Sequence, residues 1–364
     1  MPAEELVQLR ADGRMRMGYC LPTFAWPGPT LFRTPNVEVV DAPDIIALAR
    51  DAEDAGFQSV WACDHLMLGK DNAVLEGWTV LSAVAGATSR VQLGLIHQAN
   101  LQRAPSLHAN MTATLDQLSG GRFVFFPDMS TYAAENIAYG LDWDVDDDVR
   151  VAKLAEALEI ILALWTTEQP VSFSGRYYRV DGAQAQPRPA QRPRPPLWFG
   201  EIHPAQLALC AKYGDGWNST PVRTQQLCER IVSLEDACRA VGRNPAEIEK
   251  SYETQVLVAP DHDQLRETLR RLLARPGFPG DDLPGQHASA ELWDYVDGRR
   301  PDLPADLVDT WVIGTPEEAR ARLAELRAVG IDHLLLWFMD APDRAGMRLF
   351  ASEVMGWPGA SVEQ

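Results

Sequence analysis

AGFQSVWACDHL (55–66), EGWTVLSAVAGATSRVQLGLIHQANLQRAPS (76–106) and MTATLDQLSGGRF (111–123) are successive pieces of one alternation. Apolar runs of strand length, Phe57 to Cys63 and Val91 to Ile96, alternate with stretches of helical period such as Leu107, Met111, Leu115 and Leu118. A βαβα order of this kind predicts a parallel sheet covered by helices. Asp64 and His65 follow the first of these strands, and His97, Gln98, Asn100 and Arg103 follow the second. Polar chemistry therefore collects at the C-terminal ends of the strands, the end where a closed barrel builds its active site.

Outward from this stretch the alternation continues. Met15 to Leu21 reads as a first strand, Arg122 to Phe126 as a fourth, Pro195 to Gly200 as a fifth, Asp215 to Ser219 as a sixth, Ser251 to Val258 as a seventh and Ile331 to Phe338 as an eighth. Ile45, Ile46, Ala49, Ala52 and Ala55 mark one helix face ended by Gly56, and Leu154, Leu158, Ile161, Leu162 and Trp165 mark another. Thr315, Pro316 and Glu318 supply N-cap, N1 and N3 of the helix before the last strand. Eight strand-helix units predict the α/β class and a single (β/α)8 TIM barrel over 15–358, preceded by a polar extension, 1–14. An open doubly wound sheet would call for a Gly-rich turn after an early strand, and no GxGxxG or Walker-type run is present. Two segments are extra to the barrel: 22–43, a long first βα loop, and 276–304, rich in Pro, Gly and Asp with three aromatics. Either is suited to be a lid or substrate wall, and the second equally to be a subunit contact.

Composition bounds the function. With 46% hydrophobic and 23% charged residues the chain reads as soluble and globular, and no apolar run approaches a membrane span. The N-terminus MPAEELVQLRADGR lacks the apolar core of a signal peptide, and five scattered cysteines without a CxxC spacing read as reduced thiols, so a cytoplasmic protein without a metal site is expected. A net charge of -18 argues against nucleic acid and for a small-molecule or protein partner. Arg188, Arg192 and Arg194 lie in a proline-rich segment that reads as a stiff connection.

The motifs GF-x-S-V-W-x-x-DHL, W-T-x-L-x-A-x-A-x-x-T-x-R-x-x-LG, R-x-P-S and T-x-LD-x-LSGGRF occur in that order, followed by EALEIILALW (156–165), SGRYYRV (174–180), PRPAQRPRPPLWFG (187–200) and YGDGWN (213–218). Together they resemble the luciferase-like flavin or F420 oxidoreductases over about Met15 to Asn218. The resemblance implies a TIM barrel, an FMN or F420 cofactor, a homodimer and, for flavin chemistry, a separate flavin reductase as partner. Its leading implication is a monooxygenase using reduced FMN and dioxygen on a small organic substrate. The alternative is F420-dependent hydride transfer, and a second alternative is a cofactor-free enzyme or binding protein on the same barrel.

Candidate site residues follow. An imidazole at a strand end handles protons near neutral pH, and the resemblance places the DH histidine beside the redox ring, so His65 is the candidate catalytic residue. The plainer reading is a histidine that Asp64 holds to brace the loop. His97, Gln98 and Asn100 are candidates for a ring carbonyl or substrate, whereas Arg103 reads as a salt-bridge or capping residue and His108 as a packed one. The resemblance also implies Gly-rich phosphate loops after strands 4 and 5, where this chain has Phe125-Phe126-Pro127-Asp128-Met129-Ser130 and Gly200-Glu201-Ile202-His203-Pro204. Proline removes a donor, and Asp128 and Glu201 place carboxylates where a dianion wants N–H groups. Either the acids turn to solvent while Asp128, Ser130, Gly200, Glu201 and Ile202 still border the cofactor, or the phosphate sits elsewhere, or the cofactor has been lost. Phe24, Trp61, Tyr132, Trp217, Trp337 and Met339 are the candidate substrate-pocket residues.

Overall fold

A computed structural model describes residues 8, 11–30, 35–200, 202–278 and 287–356. Eight parallel strands run in sequence order around a ring: β1 (Arg16–Cys20), β2 (Ser59–Cys63), β3 (Gln92–Ile96), β4 (Phe123–Val124), β5 (Trp198–Phe199), β6 (Gly216–Ser219), β7 (Glu249–Val258) and β8 (His333–Phe338). β8 lies between β1 and β7, with Met17 opposite Leu334 and Tyr252 opposite the same residue. The seam between β4 and β5 is a parallel bridge from Phe125 to Leu197, where Phe125 N donates to Pro196 O at 2.9 Å and Trp198 N to Phe125 O at 2.8 Å. The architecture is the (β/α)8 TIM barrel that the alternation predicts.

Helices α1 (Ala42–Asp54), α2 (Gly77–Ala87), α3 (Pro105–Leu118), α4 (Asp147–Thr166), α5 (Pro204–Tyr213), α6 (Thr224–Ala240), α7 (His262–Leu273) and α8 (Pro316–Ala328) flank the strands. Local chemistry starts several of them. Asp41 caps α1 through the Asp44 N–H, and Thr315 with Glu318 forms a reciprocal capping box on α8. One periodicity was misleading. The buried face of α3 is His108, Ala109, Thr112, Ala113 and Leu115, while Leu107 and Leu118 are exposed. The tight approach of α3 to α4 favours small residues on the contact face, which leaves Leu107 and Leu118 outside while Met111 and Leu115 of the same stripe pack inward.

Alternation along each strand sorts side chains between two cores. Outward residues such as Val60, Leu93, Leu334 and Leu336 pack under the helices, and inward residues such as Cys20, Trp61, Ile96, Phe126, Trp198 and Trp337 form a second cluster inside the ring. Two buried tryptophans, Trp61 and Trp198, fill the barrel centre 5.2 Å apart because the positions facing them are glycines. A Cβ on Gly94 would stand 2.1 Å from Trp61 Cζ3, and one on Gly216 2.4 Å from Trp198 Cε2. Below Trp61 a hydrogen-bonded chain crosses the ring. Trp61 Nε1 donates to Ser59 Oγ at 2.8 Å, Ser59 bonds His333 Nε2 at 2.8 Å, and His333 Nδ1 meets Glu249 Oε1 at 3.1 Å. Glu249, held as a carboxylate by Arg16, accepts from Nδ1–H of a neutral ring, so Nε2 is left to accept the Ser59 hydroxyl while Ser59 Oγ accepts the indole N–H. Burial, then Arg16, pushes the His333 imidazole down to about 4. Burial alone would raise Glu249, yet Arg16 and His333 hold it near 2. This network is at the N-terminal end of the strands and serves stability.

The two insertions meet. Trp26 packs edge-on against Phe278 at 5.2 Å, Thr30 bridges His287 and Ala288 N donates to Pro29 O at 2.8 Å, while Asn36 Nδ2 ties the first insertion to Leu272 O at the end of α7 at 3.3 Å. A short extra strand, Val312–Gly314, pairs with the end of β7, and a hairpin of Val171–Ser174 and Arg179–Ala183 follows α4. Among the described residues no helix is long and apolar enough to cross a membrane.

Candidate active site at the C-terminal mouth of the barrel

The turn after β2 is held by two carboxylates. Asp64 is buried and receives Arg103 on both oxygens, at 2.6 and 2.7 Å, together with the Ala99 N–H at 3.1 Å. A bidentate pair of this geometry is strong and directional, and it ties the end of β2 to the chain entering α3. Arg103 thus has the salt-bridge role read for it. His65, the next residue, is not held by Asp64. Its Nδ1 lies 3.0 Å from Oε1 of Glu135, a buried carboxylate from the helix Ala133–Ala138, and its side chain is 28% exposed. Tyr132 stands edge-on to the imidazole at 6.0 Å.

The end of β3 turns sharply through a cis peptide between Ile96 and His97. The chain then re-enters a short parallel pairing in which Gln98 and Ala99 face Pro127 and Asp128. His97 packs edge-on to Phe126 at 4.5 Å with Nε2 unpaired, and a Cβ on Gly200 would come within 3.1 Å of that nitrogen. Gln98 is fully buried with neither amide atom paired, and Asn100 Oδ1, Gln102 Oε1, Asn136 Oδ1 and Gln206 Oε1 lack partners as well. Each buried polar atom left unsatisfied costs about 1–3 kcal/mol. A concentration of them at one mouth marks a place whose hydrogen bonds come from outside the chain, from water or from a ligand. His97, Gln98 and Asn100 are therefore brought together, and Tyr178 joins them with its hydroxyl 3.4 Å from Asn100 Nδ2.

The loop after β4 departs from the expectation that its carboxylate turns to solvent. Asp128 is only 3% exposed. Its Oδ1 accepts the Ser130 N–H at 2.8 Å and its Oδ2 accepts Gln206 Nε2 at 3.4 Å. Ser130, at φ +70°, spends its hydroxyl on the Leu101 N–H at 3.1 Å and its carbonyl on Arg150 Nε at 2.9 Å. Arg150 is in turn engaged by Asp147. The backbone donors Ser130 N–H and Leu101 N–H and the Arg150 guanidinium, which a phosphate would use here, are taken by the chain itself. Gln206 also donates to Gly200 O at 3.0 Å, so the loops after β4 and β5 are tied together. Ile202 is exposed. Glu201 lies outside the described residues.

The proposed aromatic wall divides. Phe24 and Trp337 meet at 5.7 Å, and with Trp26, Phe278, Leu68 and Val74 they continue the inner core upward from Phe126 and Trp198. Trp337 Nε1 donates to Glu253 Oε1 at 2.7 Å, and Asn218 Nδ2 reaches Oε2 of the same buried carboxylate at 3.2 Å. Trp61 is sealed in the barrel centre below. Trp217 alternates outward and packs with the helices, and Met339 packs among Leu257, Leu265 and Trp311 on the outer side of the ring. Strand alternation and the end of β8 place these two away from the mouth, so they are not pocket residues. His108 is buried between Trp78 and Phe125, and burial lowers its imidazole to about 3, leaving it neutral packing.

Glu135, Gln102, Gln206, Glu253 and Tyr178 escaped sequence reading. Glu135 sits in STYAAEN, just after the altered loop, and nothing local relates it to a histidine 70 residues earlier.

A family model described as luciferase-like monooxygenase matches residues 15–333. The chain belongs to that family. It is an oxidoreductase of the luciferase-like type, as the ordered motifs imply. It is similar, at 25% identity over 299 residues, to an F420-dependent glucose-6-phosphate dehydrogenase of Amycolatopsis mediterranei (strain U-32), covering 80% of this chain and 87% of that one. Among solved structures it superposes on an F420-dependent secondary alcohol dehydrogenase in complex with an F420-acetone adduct, with TM-score 0.70, 23% identity and coverage of 96% and 99%. It also superposes on a long-chain alkane monooxygenase, with TM-score 0.73, 16% identity and coverage of 94% and 90%. At these identities the two structures speak for the barrel.

Proposed function

We propose that this protein is an F420-dependent dehydrogenase that exchanges hydride with a small, uncharged alcohol or carbonyl compound. The observation that carries this reading is His65, an imidazole pinned at Nδ1 by a buried carboxylate, with no partner for Nε2 among the described residues, at the same end of the barrel as a set of buried, unpartnered amides. Oxidising an alcohol requires something to take the hydroxyl proton, and an imidazole with one nitrogen anchored and the other bare does this near neutral pH. The curated relative is F420-dependent by name, which supports the deazaflavin over the reduced flavin that leads the motif reading.

The residues at the mouth fit a heteroaromatic ring. Gln98 and Asn100, with His97 Nε2, offer donors and acceptors suited to ring carbonyl and N–H groups. The loop at Asp128 and Ser130 does not fit a dianion, because the Ser130 and Leu101 N–H groups are already bonded and a buried carboxylate, Asp128, stands there. When bound, a deazaflavin supplies a carbon that accepts or donates hydride. The chain's own part is to orient the substrate, exclude water with Phe24, Trp26, Phe278 and Trp337, and hold the substrate proton at His65 Nε2.

Substrate charge follows from the same residues. Asp128, Glu135 and Glu253 are buried carboxylates around this region, and Arg103 and Arg150 are each engaged by carboxylates. Bringing a phosphate ester up to those carboxylates is unfavourable, so a neutral substrate is favoured over a sugar phosphate, and the anionic part of the cofactor has to lie away from them. The aromatic enclosure also favours a second reading, reduced FMN with dioxygen, which needs a dry pocket above all.

An anaerobic titration with F420, reduced FMN and oxidised FMN separates the two. Selective F420 binding, followed by bleaching of its absorbance on adding neutral secondary alcohols, is the expected result. Selective binding of reduced FMN with oxygen-dependent turnover would replace this reading by the second, and binding of neither would end both.

A further inference from the structure

We infer that Glu135 is the positioning residue of the site: it fixes His65 as the Nδ1–H tautomer and so keeps Nε2 bare as the proton acceptor. The catalytic use of that nitrogen rests on the reading above, but the tautomer itself does not.

Three facts carry the inference. First, Glu135 is 2% exposed and comes from a different part of the chain than the turn it holds. Its Oε2 accepts the Leu66 N–H at 2.7 Å and the Met67 N–H at 3.2 Å, while its Oε1 faces His65 Nδ1 at 3.0 Å. Tyr139, from the end of the same short helix, donates its hydroxyl to Leu66 O at 3.2 Å, so both sides of the turn are gripped by one element.

Second, the donors around Glu135 decide which atom carries the proton. Gln102 Nε2 approaches Oε1 at 3.4 Å, adding a second donor to the oxygen that meets the imidazole. With backbone N–H groups on one oxygen and an amide N–H on the other, Glu135 is an acceptor at both, which is the behaviour of a carboxylate. The hydrogen in the 3.0 Å contact therefore belongs to Nδ1. A neutral imidazole has one N–H, so Nε2 is left as a lone pair.

Third, Nε2 has no partner among the described residues, and the ring is neither sealed nor free to turn. The His65 side chain is 28% exposed with Tyr132 edge-on at 6.0 Å, and rotation would forfeit the Glu135 contact. The nearby Asp64 carboxylate does not compete for the imidazole, because Arg103 occupies both its oxygens. The nearby Cys63 thiol is pushed up to about 12 by burial and stays neutral.

Glu135→Gln separates positioning from mere bracing. The amide keeps one oxygen for the Leu66 and Met67 N–H groups and presents an NH2 to Nδ1. The turn is then still held, but Nδ1 must accept and the proton moves to Nε2. The measurement is a long-range 1H–15N correlation on protein labelled at histidine nitrogen, at about pH 8 where an ordinary imidazole is neutral, with His65→Asn assigning the signal. The expected result is Nδ1–H in the parent and Nε2–H in Glu135→Gln, with the variant's melting temperature close to the parent's. Hydride transfer with F420 and an alcohol should fall about 10²–10⁴-fold in kcat, the range seen when a catalytic histidine is held in the wrong tautomer or a general base is lost, while F420 affinity stays within about threefold. A parent spectrum showing Nε2–H or a mixture overturns the inference, as does an unchanged tautomer in the variant. The parent spectrum decides even if the variant folds poorly, and it needs no cofactor. Absence of F420 binding therefore overturns the proposed activity and leaves the tautomer assignment to stand or fall separately.

Discussion

Gly94→Ala adds one methyl group at the centre of the barrel, and its cost can be worked from the packing there. Gly94 pairs in register with Trp61 on the neighbouring strand, and the new Cβ would lie 2.1 Å from Cζ3, 2.4 Å from Cε3 and 2.8 Å from Cη2 of that indole. Carbon atoms pack at about 3.5–4.0 Å, so the ring has to retreat by more than about 1 Å. It has nowhere to go. Trp61 is fully buried, bonded to Ser59 Oγ at 2.8 Å, and stacked at a tilt on Trp198 at 5.2 Å. Overpacking in such a site costs about 1–3 kcal/mol, and losing the indole hydrogen bond adds about 1 kcal/mol. Removing a glycine from the unfolded chain returns about 0.4–1 kcal/mol, because the φ of Gly94 is not in the left-handed region and alanine has no backbone penalty there. The net expectation is a loss of about 2–3 kcal/mol, a large share of the roughly 5–15 kcal/mol of a native protein. Equilibrium denaturation by urea, read by tryptophan fluorescence and circular dichroism, measures it. Trp61→Phe shrinks the ring that collides, so the double variant should be less unstable than the two single losses summed, by at least about 1 kcal/mol. A Gly94→Ala protein within about 0.5 kcal/mol of the parent, or strict additivity with Trp61→Phe, refutes the packing argument.

Two further outcomes are expected. Asp340 is buried with its Oδ2 accepting the Gly346 N–H at 3.1 Å, and burial raises its carboxyl from the ordinary 3.8 to about 7. A raised acid binds its proton more tightly when folded, so its stabilising contribution is complete below about pH 4, is lost as pH rises to about 7, and is flat above that, on the order of 4 kcal/mol in all. Asp340→Asn should abolish that part of the decline in urea stability measured from pH 4 to 8; a parallel pH profile in the variant counts against it. Asp128→Asn keeps an acceptor for the Ser130 N–H and removes one charge from the loop after β4. Because that loop does not fit a dianion, the dissociation constant in the anaerobic titration should stay within about threefold of the parent's, and a gain of about tenfold would bring the cofactor phosphate to the loop.

Much of the architecture was legible in the order of residues. The βα alternation, the eight strand segments, the capping box at Thr315 and the ordered family motifs depend on local propensity, period and turn chemistry, which short stretches of chain carry by themselves. His65 and the polar run at His97, Gln98 and Asn100 were legible as candidates for the same reason, since the C-terminal end of a strand is a position readable in one dimension. The direction of a side chain was less so. Trp61, Trp217 and Trp337 looked equivalent, and only alternation within a closed ring separates the one in the centre from the one under the helices and the one at the mouth. The carboxylate that holds His65, the arginine that occupies Asp64 and the glutamine that ties Asp128 to Gly200 lie 70, 39 and about 80 residues from one end of their contacts, beyond any local pattern. The sequence by itself determined the class of fold, the family and the end of the barrel where chemistry belongs, because those follow from interactions between near neighbours. Tertiary structure alone decided the proton on His65, the inward turn of Asp128 and the set of unsatisfied amides, because hydrogen-bond partners and burial exist only once distant strands close into a ring.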